Sequence, residues 1–422
     1  MSLYLDHNAT YPMRPNVKAA MAEAMDVGGN ASAQHRHGRA ASRIIGEARE
    51  ALGLAMGVCA QDIIFNSGGT EGNNTAIYSA IRAGSRRLLI SGMDHPATIM
   101  AAENFGVAYE LIPADSEGRT DMAWLKARLA DWDAGDGRPF VSLVAANSET
   151  GVIQDVETAT ELVRAANGLI LVDAVQALGK ILMRFIPDYL TVSAHKIGGP
   201  QGVGALYAAP DAPFTALLAG GGQERRRRSG TMNVAGIAGF GAAVTPLPDM
   251  SHTAKLRDAL ETELKAIEPQ ITIFGDTAKR LPNTSLFALP DVSSMTLMMQ
   301  LDMEGVSVST GTACSSGKTG ESRSVKAMNR MDAAPKGVVR VSFGENNIME
   351  DADVFLTAWR KIRRHAPKNT CHSGAAQQNP EDRPSGSPSK LFGGVRNDTV
   401  DNKSTVIPAV EPGSRIKSGM TQ

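Results

Sequence analysis

The sequence lacks the features on which three common classes of protein depend. Its 422 residues include three cysteines, an odd and sparse set that excludes a disulfide framework. The formal net charge is -1, which gives no reason to expect nucleic acid or an anionic membrane as a partner. No apolar run approaches the eighteen or so residues of a membrane span, and the start of the chain lacks a secretion signal. These absences predict a cytoplasmic protein.

The composition that remains predicts two folded domains and a polar tail. Hydrophobic residues make up 42% of the chain, enough for a large buried core. We expect a large domain over residues 15–250 and a smaller one formed by residues 1–14 and 251–365. Residues 366–422 are rich in Ser, Gly, Pro and charged residues, and they cannot bury enough apolar surface to offset the entropy of ordering. We therefore predict that this tail is disordered.

The most informative stretch runs from Leu169 to Gly204. It opens with a short apolar run that is typical of a buried parallel strand and ends at Asp173. A second apolar run ends at Ser193-Ala194-His195-Lys196, and a glycine-rich loop follows. An acid and a lysine at neighbouring strand ends suit pyridoxal phosphate, because a lysine amine binds the aldehyde as a Schiff base and an Asp keeps the pyridine nitrogen protonated.

A second glycine-rich turn predicts where a phosphate group binds. Ile63-Ile64-Phe65 is typical of a short buried strand, and the sequence Ser67-Gly68-Gly69-Thr70-Glu71 then leads into a helix. The free N–H groups and the dipole at the start of a helix both favour an anion. We assign the cofactor phosphate to Gly69 and Thr70.

Other motifs have weaker interpretations. A lone lysine beside a glycine-rich loop is usually a surface residue, and a lone Asp after a strand often caps a helix. His35 and His37 lack a second cluster of metal ligands, so we predict no metal site. Gly317-Lys318-Thr319 does not have the spacing or the preceding strand of a P-loop. The run Arg225–Arg228 could suggest nucleic-acid binding, but no aromatic residues interleave with it.

Taken together, the motifs resemble one known family. Val172-Asp173-Ala174-Val175-Gln176 followed by Ser193-Ala194-His195-Lys196 resembles the class V aminotransferases, and specifically the NifS/IscS-like cysteine desulfurases. Four further stretches agree in the same order: Tyr4-Leu5-Asp6-His7-Asn8-Ala9-Thr10, Ser67-Gly68-Gly69-Thr70-Glu71, Arg228-Ser229-Gly230-Thr231 and Ser309-Thr310-Gly311-Thr312-Ala313-Cys314-Ser315-Ser316. The resemblance covers residues 3–365. It implies an α/β protein of pyridoxal-phosphate fold type I, the aspartate aminotransferase-like fold, with a large mostly parallel-sheet domain and a smaller α+β domain.

The resemblance also implies a role for individual residues. The implied cofactor-binding residues are Gly69, Thr70, Asn147, Asp173, Gln176, Ser193, His195, Lys196 and Thr231. Thr231 would reach the cofactor phosphate of the neighbouring subunit, which implies a homodimer. His95 would stack on the pyridine ring and act as an acid and base. Arg340 would bind the substrate carboxylate, with Asn147 and Ser148 beside it; Ser148 stands where the family usually has a second Asn.

Cys314 carries the reaction that the resemblance implies. It lies in a long polar loop over about residues 306–325, whereas Cys59 is in an apolar context typical of a buried thiol. As a thiolate, Cys314 would take sulfur from L-cysteine, leaving L-alanine and a persulfide for a sulfur-acceptor or iron–sulfur scaffold protein. A selenocysteine lyase or an aminotransferase of the same family is an alternative, and a non-catalytic adaptor is another. The receiving pathway stays open.

Overall fold

The computed structural model describes residues 2–310 and 321–365, which belong to one compact unit. Its helices are α1 (Pro15–Asp26), α2 (Arg36–Met56), α3 (Gly69–Arg82), α4 (Pro96–Asn104), α5 (Met122–Ala130), α6 (Val156–Ala165), α7 (Val234–Ala243), α8 (Thr253–Ile267), α9 (Ser294–Met303), α10 (Arg323–Ala327) and α11 (Met349–His365). Its strands are β1 (Leu3–Tyr4), β2 (Ile63–Asn66), β3 (Arg87–Ser91), β4 (Ala108–Ile112), β5 (Phe140–Val144), β6 (Leu169–Asp173), β7 (Tyr189–Ser193), β8 (Gly204–Ala208), β9 (Thr272–Ile273), β10 (Thr284–Ala288), β11 (Val306–Ser307) and β12 (Val339–Ser342).

Seven strands form one mixed sheet in the order β2-β8-β7-β6-β5-β3-β4. Five adjacent strands, β4, β3, β5, β6 and β7, run parallel to one another. β8 is antiparallel to both β7 and β2. The sheet is therefore mostly parallel, as the sequence predicted, and the carboxyl ends of its central strands meet at one edge.

Helices cover both faces of this sheet, which explains why its strands are continuously apolar. Along β6, Ile170 and Val172 pack in a core with residues of α2, α5, α6 and α7. Leu169 and Leu171 point the other way and pack with α3 and α4. Because side chains alternate along a strand, Asp173 lies on the face that α3 covers.

A second, smaller sheet has the antiparallel order β12-β10-β9. Its core is formed with α8, α9 and α11, and includes the buried Phe287 and Trp359. The start of the chain joins this part of the molecule, because β1 pairs in parallel with β11 and Asp6 forms a bridge with Ser342. The division into two domains at the predicted boundaries stays a prediction.

The long polar segment after residue 306 is structured at both of its described ends. It begins with β11, and Ser309 exchanges two backbone hydrogen bonds with Arg340, at 2.7 and 3.1 Å. It ends in α10, which Ser322 caps by accepting from the N–H of Val325. Cys314 and the tail with Cys371 lie outside the described residues. Among the residues described, no helix has the length and apolar character that crossing a bilayer requires.

Candidate active site

A cavity of about 250 Å³ opens at the carboxyl edge of the large sheet. Strand ends, the N-terminal arm and the small sheet all contribute to its wall. It brings together most of the residues that the sequence singled out: Gly69, Thr70, His95, Ser148, Asp173, Gln176, Ser193, His195, Lys196 and Arg340. Residues more than 300 positions apart therefore meet at the place where open α/β sheets bind ligands.

Asp173 is held as an acceptor at the base of this cavity. Its side chain is 4% exposed; one oxygen accepts from the backbone N–H of Val175 at 3.0 Å and the other from Asn73 Nδ2 at 2.8 Å. Asn73 comes from α3, which covers this face of β6, and its own Oδ1 is buried with no hydrogen-bond partner among the described residues. Asn73 was not among the predicted site residues, although its position one turn after Gly69, on a helix facing the strand ends, was a usable signal.

Lys196 lies in a single helical turn, Ala194–Lys196, directly after β7. Its Nζ donates to the main-chain carbonyls of Asn8 at 2.6 Å and Ala9 at 2.8 Å. These two carbonyls belong to the N-terminal arm, which lines the cavity. The arm therefore fixes the amine that the sequence analysis identified as reactive.

The start of α3, where the sequence predicts an anion site, lines the cavity. Gly68, with φ at +150°, provides no side-chain cap, so the first N–H groups of α3 have no acceptor within the helix. A Cβ on Gly69 would lie 2.7 Å from Val175 Cγ2, so glycine is required for this close approach. A second cavity of about 380 Å³ adjoins here, lined by Gly69, Thr70 and His195 among others. The helix start thus faces open space suited to a phosphate.

The arginine run next to this helix start is structural in part. Arg228 binds both carboxylate oxygens of Glu71, in the first turn of α3, at 2.9 and 3.3 Å. Arg225 and Arg227 both donate to the carbonyl of Gln61. These contacts assign three of the four arginines to the protein itself.

His95 is oriented by the helix that it caps. Its Nδ1 accepts from the backbone N–H of Ala97 at 3.2 Å, so the neutral ring carries its proton on Nε2. His195 has its pKa lowered to about 4, first by burial and then by the positive charges of Lys196 and Lys180. Near neutral pH the His195 ring is therefore uncharged.

Arg340 is buried at 3% exposure on the opposite wall. Its Nη2 donates to Asp6 Oδ1 at 2.6 Å, and its Nη1 donates to the carbonyl of Ser148 at 2.9 Å. Its Nε is buried and has no hydrogen-bond partner among the described residues. The guanidinium thus retains a donor for a ligand. Asp6 was not among the predicted site residues, and 334 positions in the chain separate it from Arg340.

Two of the predicted site residues that the structure describes, Asn147 and Thr231, do not line the cavity. Asn147 lies behind Met93, with its Nδ2 donating to Met93 O at 2.9 Å and its Oδ1 accepting from the N–H groups of Glu149 and Thr150, both at 2.9 Å. Its side chain positions the turn and does not reach the cavity. Thr231 is exposed and lines neither cavity. Cys314 is outside the described residues.

Comparison with known proteins decides the family. The model of the class V aminotransferases matches residues 3–355.

The chain belongs to the class V aminotransferase family.

Curated relatives and solved structures agree with this class V assignment. A cysteine desulfurase of Cereibacter sphaeroides is 38% identical over 367 residues, covering 84% of this chain and 94% of that protein. Another, of Rhodobacter capsulatus, is 39% identical over 377 residues, covering 86% and 96%. The structure of a NifS-like protein from Rickettsia africae superposes with a TM-score of 0.77 at 30% identity, covering 86% of this chain and all of that one. The predicted fold type I is confirmed.

Class V aminotransferases depend on pyridoxal phosphate, and the residues present here fit it. A carboxylate, a lysine amine and a helix start surround one enclosed space. The buried Oδ1 of Asn73 and Nε of Arg340, both in groups that line the cavity, have no partner among the described residues. A ligand that carries both hydrogen-bond donors and an anionic group complements these two atoms.

Proposed function

We propose that the chain is a cysteine desulfurase, which converts L-cysteine to L-alanine and retains the sulfur as a persulfide on Cys314. The observation that carries the proposal is the meeting of Asp173, Lys196, His95 and Arg340 at one cavity. The curated relatives reported above carry this name, which favours it over an aminotransferase or a selenocysteine lyase.

The cofactor contacts follow from the wall of the cavity. When bound, pyridoxal phosphate supplies an aldehyde that joins covalently to amines and a ring that stores the electrons of a broken bond. Asp173 would hold the proton on the ring nitrogen, since its two present donors leave it further acceptor capacity. Gly69 and Thr70 would hold the phosphate, with Ser193 and His195 beside them. Gln176 would face the part of the cofactor nearest Lys196. Asn147, which does not line the cavity, would support the cavity wall from behind.

The substrate and its protons are handled from the other walls. The Nε of Arg340, with Ser148 beside it, would receive the carboxylate of L-cysteine. Lys196 would take the Cα proton, because two arm carbonyls already aim its amine into the cavity. His95 would exchange a proton with the substrate thiol and Cβ through Nε2, since Nδ1 is engaged at the helix cap.

The described ends of the segment around Cys314 are both tied to this cavity. Ser309 pairs with Arg340 through the backbone, and Ser324 Oγ bonds with the side chain of Asn147 at 3.0 Å. The Cys314 thiolate would attack the substrate sulfur; its S–S bond forms as the C–S bond breaks, and Cβ gains a proton.

The remaining assignments concern partners. We propose a cytoplasmic homodimer in which Thr231 serves the phosphate site of the neighbouring subunit, its exposure here being consistent with that use. A sulfur-acceptor or iron–sulfur scaffold protein would receive the persulfide sulfur.

Sulfide and alanine release from L-cysteine with a reductant tests the proposal. We expect a yellow protein in which Cys314→Ala removes sulfide release and leaves the visible spectrum in place. Cys59→Ala is the matched control, because Cys59 does not line the cavity; it is an exposed free thiol, which corrects the buried position that its apolar context predicted. Turnover that survives Cys314→Ala would transfer the proposal to a lyase or a transaminase.

A further inference from the structure

A second lysine lies directly behind the reactive one. After Asp173 the chain forms a short helical turn in which the N–H groups of Ala177 and Leu178 both bond to the carbonyl of Ala174. The turn ends before Lys180, because Gly179 has a φ of +75°. Gln176, which lines the cavity, and Lys180, which does not, are joined by a hydrogen bond between their side chains.

Lys180 has only neutral partners. Its side chain is buried at 8% exposure, and its Nζ donates to Asn8 Oδ1 at 2.8 Å and to Gln176 Oε1 at 2.6 Å. Among the described residues no carboxylate forms an ion pair with it. A buried lysine bonded to two amide oxygens is an uncommon arrangement, because buried charges are normally paired.

The hydrogen-bond count fits an uncharged amine. A neutral Lys amine has two N–H groups, and two acceptors receive them. Burial, and then the positive charges of Lys196 and Arg340, hold the pKa of Lys180 well below its ordinary value. The other titratable groups that interact with it, His7 and His195, are also basic.

The side-chain amides of Asn8 and Gln176, which Lys180 binds, belong to a hydrogen-bond network that includes the amine of Lys196. Because Lys180 binds the oxygen of Gln176, the amide nitrogen points the other way and donates to the main-chain carbonyl of Asn8 at 2.9 Å. That same carbonyl accepts from Lys196 Nζ at 2.6 Å. The side-chain nitrogen of Asn8 in turn donates to Thr284 Oγ1 at 2.8 Å, which fixes its orientation. Lys180 thus sets the direction of both amides from behind the cavity wall.

We propose that Lys180 is a positioning residue of the cofactor site, which donates hydrogen bonds to Asn8 Oδ1 and Gln176 Oε1 and so directs the Gln176 amide nitrogen to the Asn8 main-chain carbonyl that binds Lys196. The inference deepens the proposed function and rests on its pyridoxal-phosphate site. It concerns a residue outside the cavity lining that acts through two residues within it.

Cofactor affinity and spectrum, measured without L-cysteine, test this role. Apoproteins of the wild type, Lys180→Met, Gln176→Leu and the double variant are titrated with pyridoxal phosphate, and their visible spectra are recorded across the neutral pH range. We expect Lys180→Met to weaken binding about ten-fold, as for the loss of a buried hydrogen-bonded contact, and to shift the spectrum or its pH dependence. Lys126→Met, on the exposed side of α5, is the control.

The double variant separates positioning from simple structural loss. Since Lys180 acts partly through Gln176, Lys180→Met should weaken binding clearly less in the Gln176→Leu background than in the wild type. Equal losses in the two backgrounds, or a lower melting temperature with wild-type affinity and spectrum, overturn the proposal.

Two further outcomes are assigned in advance. If Lys180→Met does not fold, Lys180→Gln replaces it; this shorter side chain reaches one oxygen at a time, so a smaller shift in the same direction is expected and no shift contradicts the role. A wild type that takes up no pyridoxal phosphate overturns the proposed function itself.

Discussion

Buried charges are arranged in opposite ways inside and outside the cavity region. Away from it, two arginines with little side-chain exposure are each paired with a carboxylate: Arg280 binds Glu261 with side-chain exposures of 5% and 8%, and Arg49 binds Glu224 with 17% and 3%. Around the cavity, Asp94, Asp173 and Lys180 have hydrogen bonds to neutral groups only, within the part of the chain described. Arg340 shares both arrangements, because it lines the cavity and is also paired with the carboxylate of Asp6.

The contrast separates charges that hold the fold from charges that await a ligand. The acidic end of the cavity has Asp94 beside Asp173, and burial with this neighbour raises the pKa of Asp94 to about 7. At the basic end, burial and the positive charges of Lys196 and Arg340 hold the pKa of Lys180 well below its ordinary value. A ligand with a cationic nitrogen at one end and anionic groups at the other would provide the opposite charge that the groups at each end of the cavity lack.

The first prediction removes the carboxylate charge at the acidic end. Asp173→Asn should lower alanine release from L-cysteine about a thousand-fold and leave the melting temperature of the apoprotein close to that of the wild type. The fold tolerates the change because the new amide can donate to Asn73 Oδ1, which has no partner at present. Steady-state kinetics and thermal unfolding measure the two effects, with the exposed Asp131→Asn as control. A large fall in stability would place Asp173 among the structural charges.

The second prediction breaks a paired charge outside the cavity. Glu261→Ala leaves Arg280 buried alone, so the free energy of unfolding should fall by about 3 kcal/mol, while kcat measured at low temperature is unchanged. Glu263→Ala is the matched control on the same helix, since its partner Arg360 is 45% exposed and the pair should contribute little. Denaturant unfolding distinguishes the two variants; equal losses would contradict the role given to burial.

The third prediction uses the pH dependence of stability. Folded Asp94 keeps its proton up to about pH 7, whereas its ordinary value is 3.8, so the folded state binds more protons in this window. The stabilising contribution of Asp94 is therefore lost as pH rises through the window. Asp94→Asn keeps the neutral form, because an amide can donate to the Ser142 and Thr98 hydroxyls in place of accepting from them.

Unfolding of the two apoproteins at several pH values checks this sign. The variant should gain stability relative to the wild type as pH rises toward neutrality. His7 and His195, whose pKa values are lowered to about 4, titrate with the opposite sign but in both proteins alike. A pH-independent difference between the two proteins would show that Asp94 is ionised throughout.

The smallest effect is expected outside the cavity region, in the loop that the ion pair between Arg49 and Glu224 anchors. Glu224, Arg225 and Arg226 all have positive φ, and Arg226 stands at +67°. Arg226→Gly should stabilise the protein by about 0.5 kcal/mol, since relief of strain exceeds the extra entropy of the unfolded glycine. Arg227→Gly should destabilise it, because φ there is -87° and Arg227 donates to Gln61 O. Equal signs for the two variants in denaturant unfolding would falsify the strain argument.

What the sequence could predict depends on how near the deciding residues are in the chain. Asp173, Lys196 and Gly69 each follow an apolar run directly, so hydrophobic patterning and a local turn place them at one edge. Asn73, Asp6 and Lys180 have no such local signal apart from their helical spacing. The partner of Arg340 is 334 positions away, and the pairing of β1 with β11, together with the bridge between Asp6 and Ser342, brings it there.

The same reasoning applies to Asn147, which was predicted to contact the cofactor and does not line the described cavity. It follows a buried strand, as Asp173 follows another, and the local sequence pattern does not distinguish the two. The structure shows that its amide groups are occupied by the following turn and by Met93. Whether the side chain of Asn147 binds a ligand or nearby backbone groups depends on the geometry of the turn, which the hydrophobic pattern of the sequence does not specify.

The seating of the N-terminal arm also determines the order in which the molecule can fold. The arm is synthesised first, and its partners in β11 and β12 follow some 300 residues later. Because closing so long a loop is slow, the large sheet can form before the arm docks. The carbonyls of Asn8 and Ala9 reach Lys196 once the arm has docked. A growing chain that has not yet released β11 and β12 from the ribosome holds the acid and the lysine without the wall that makes them a site.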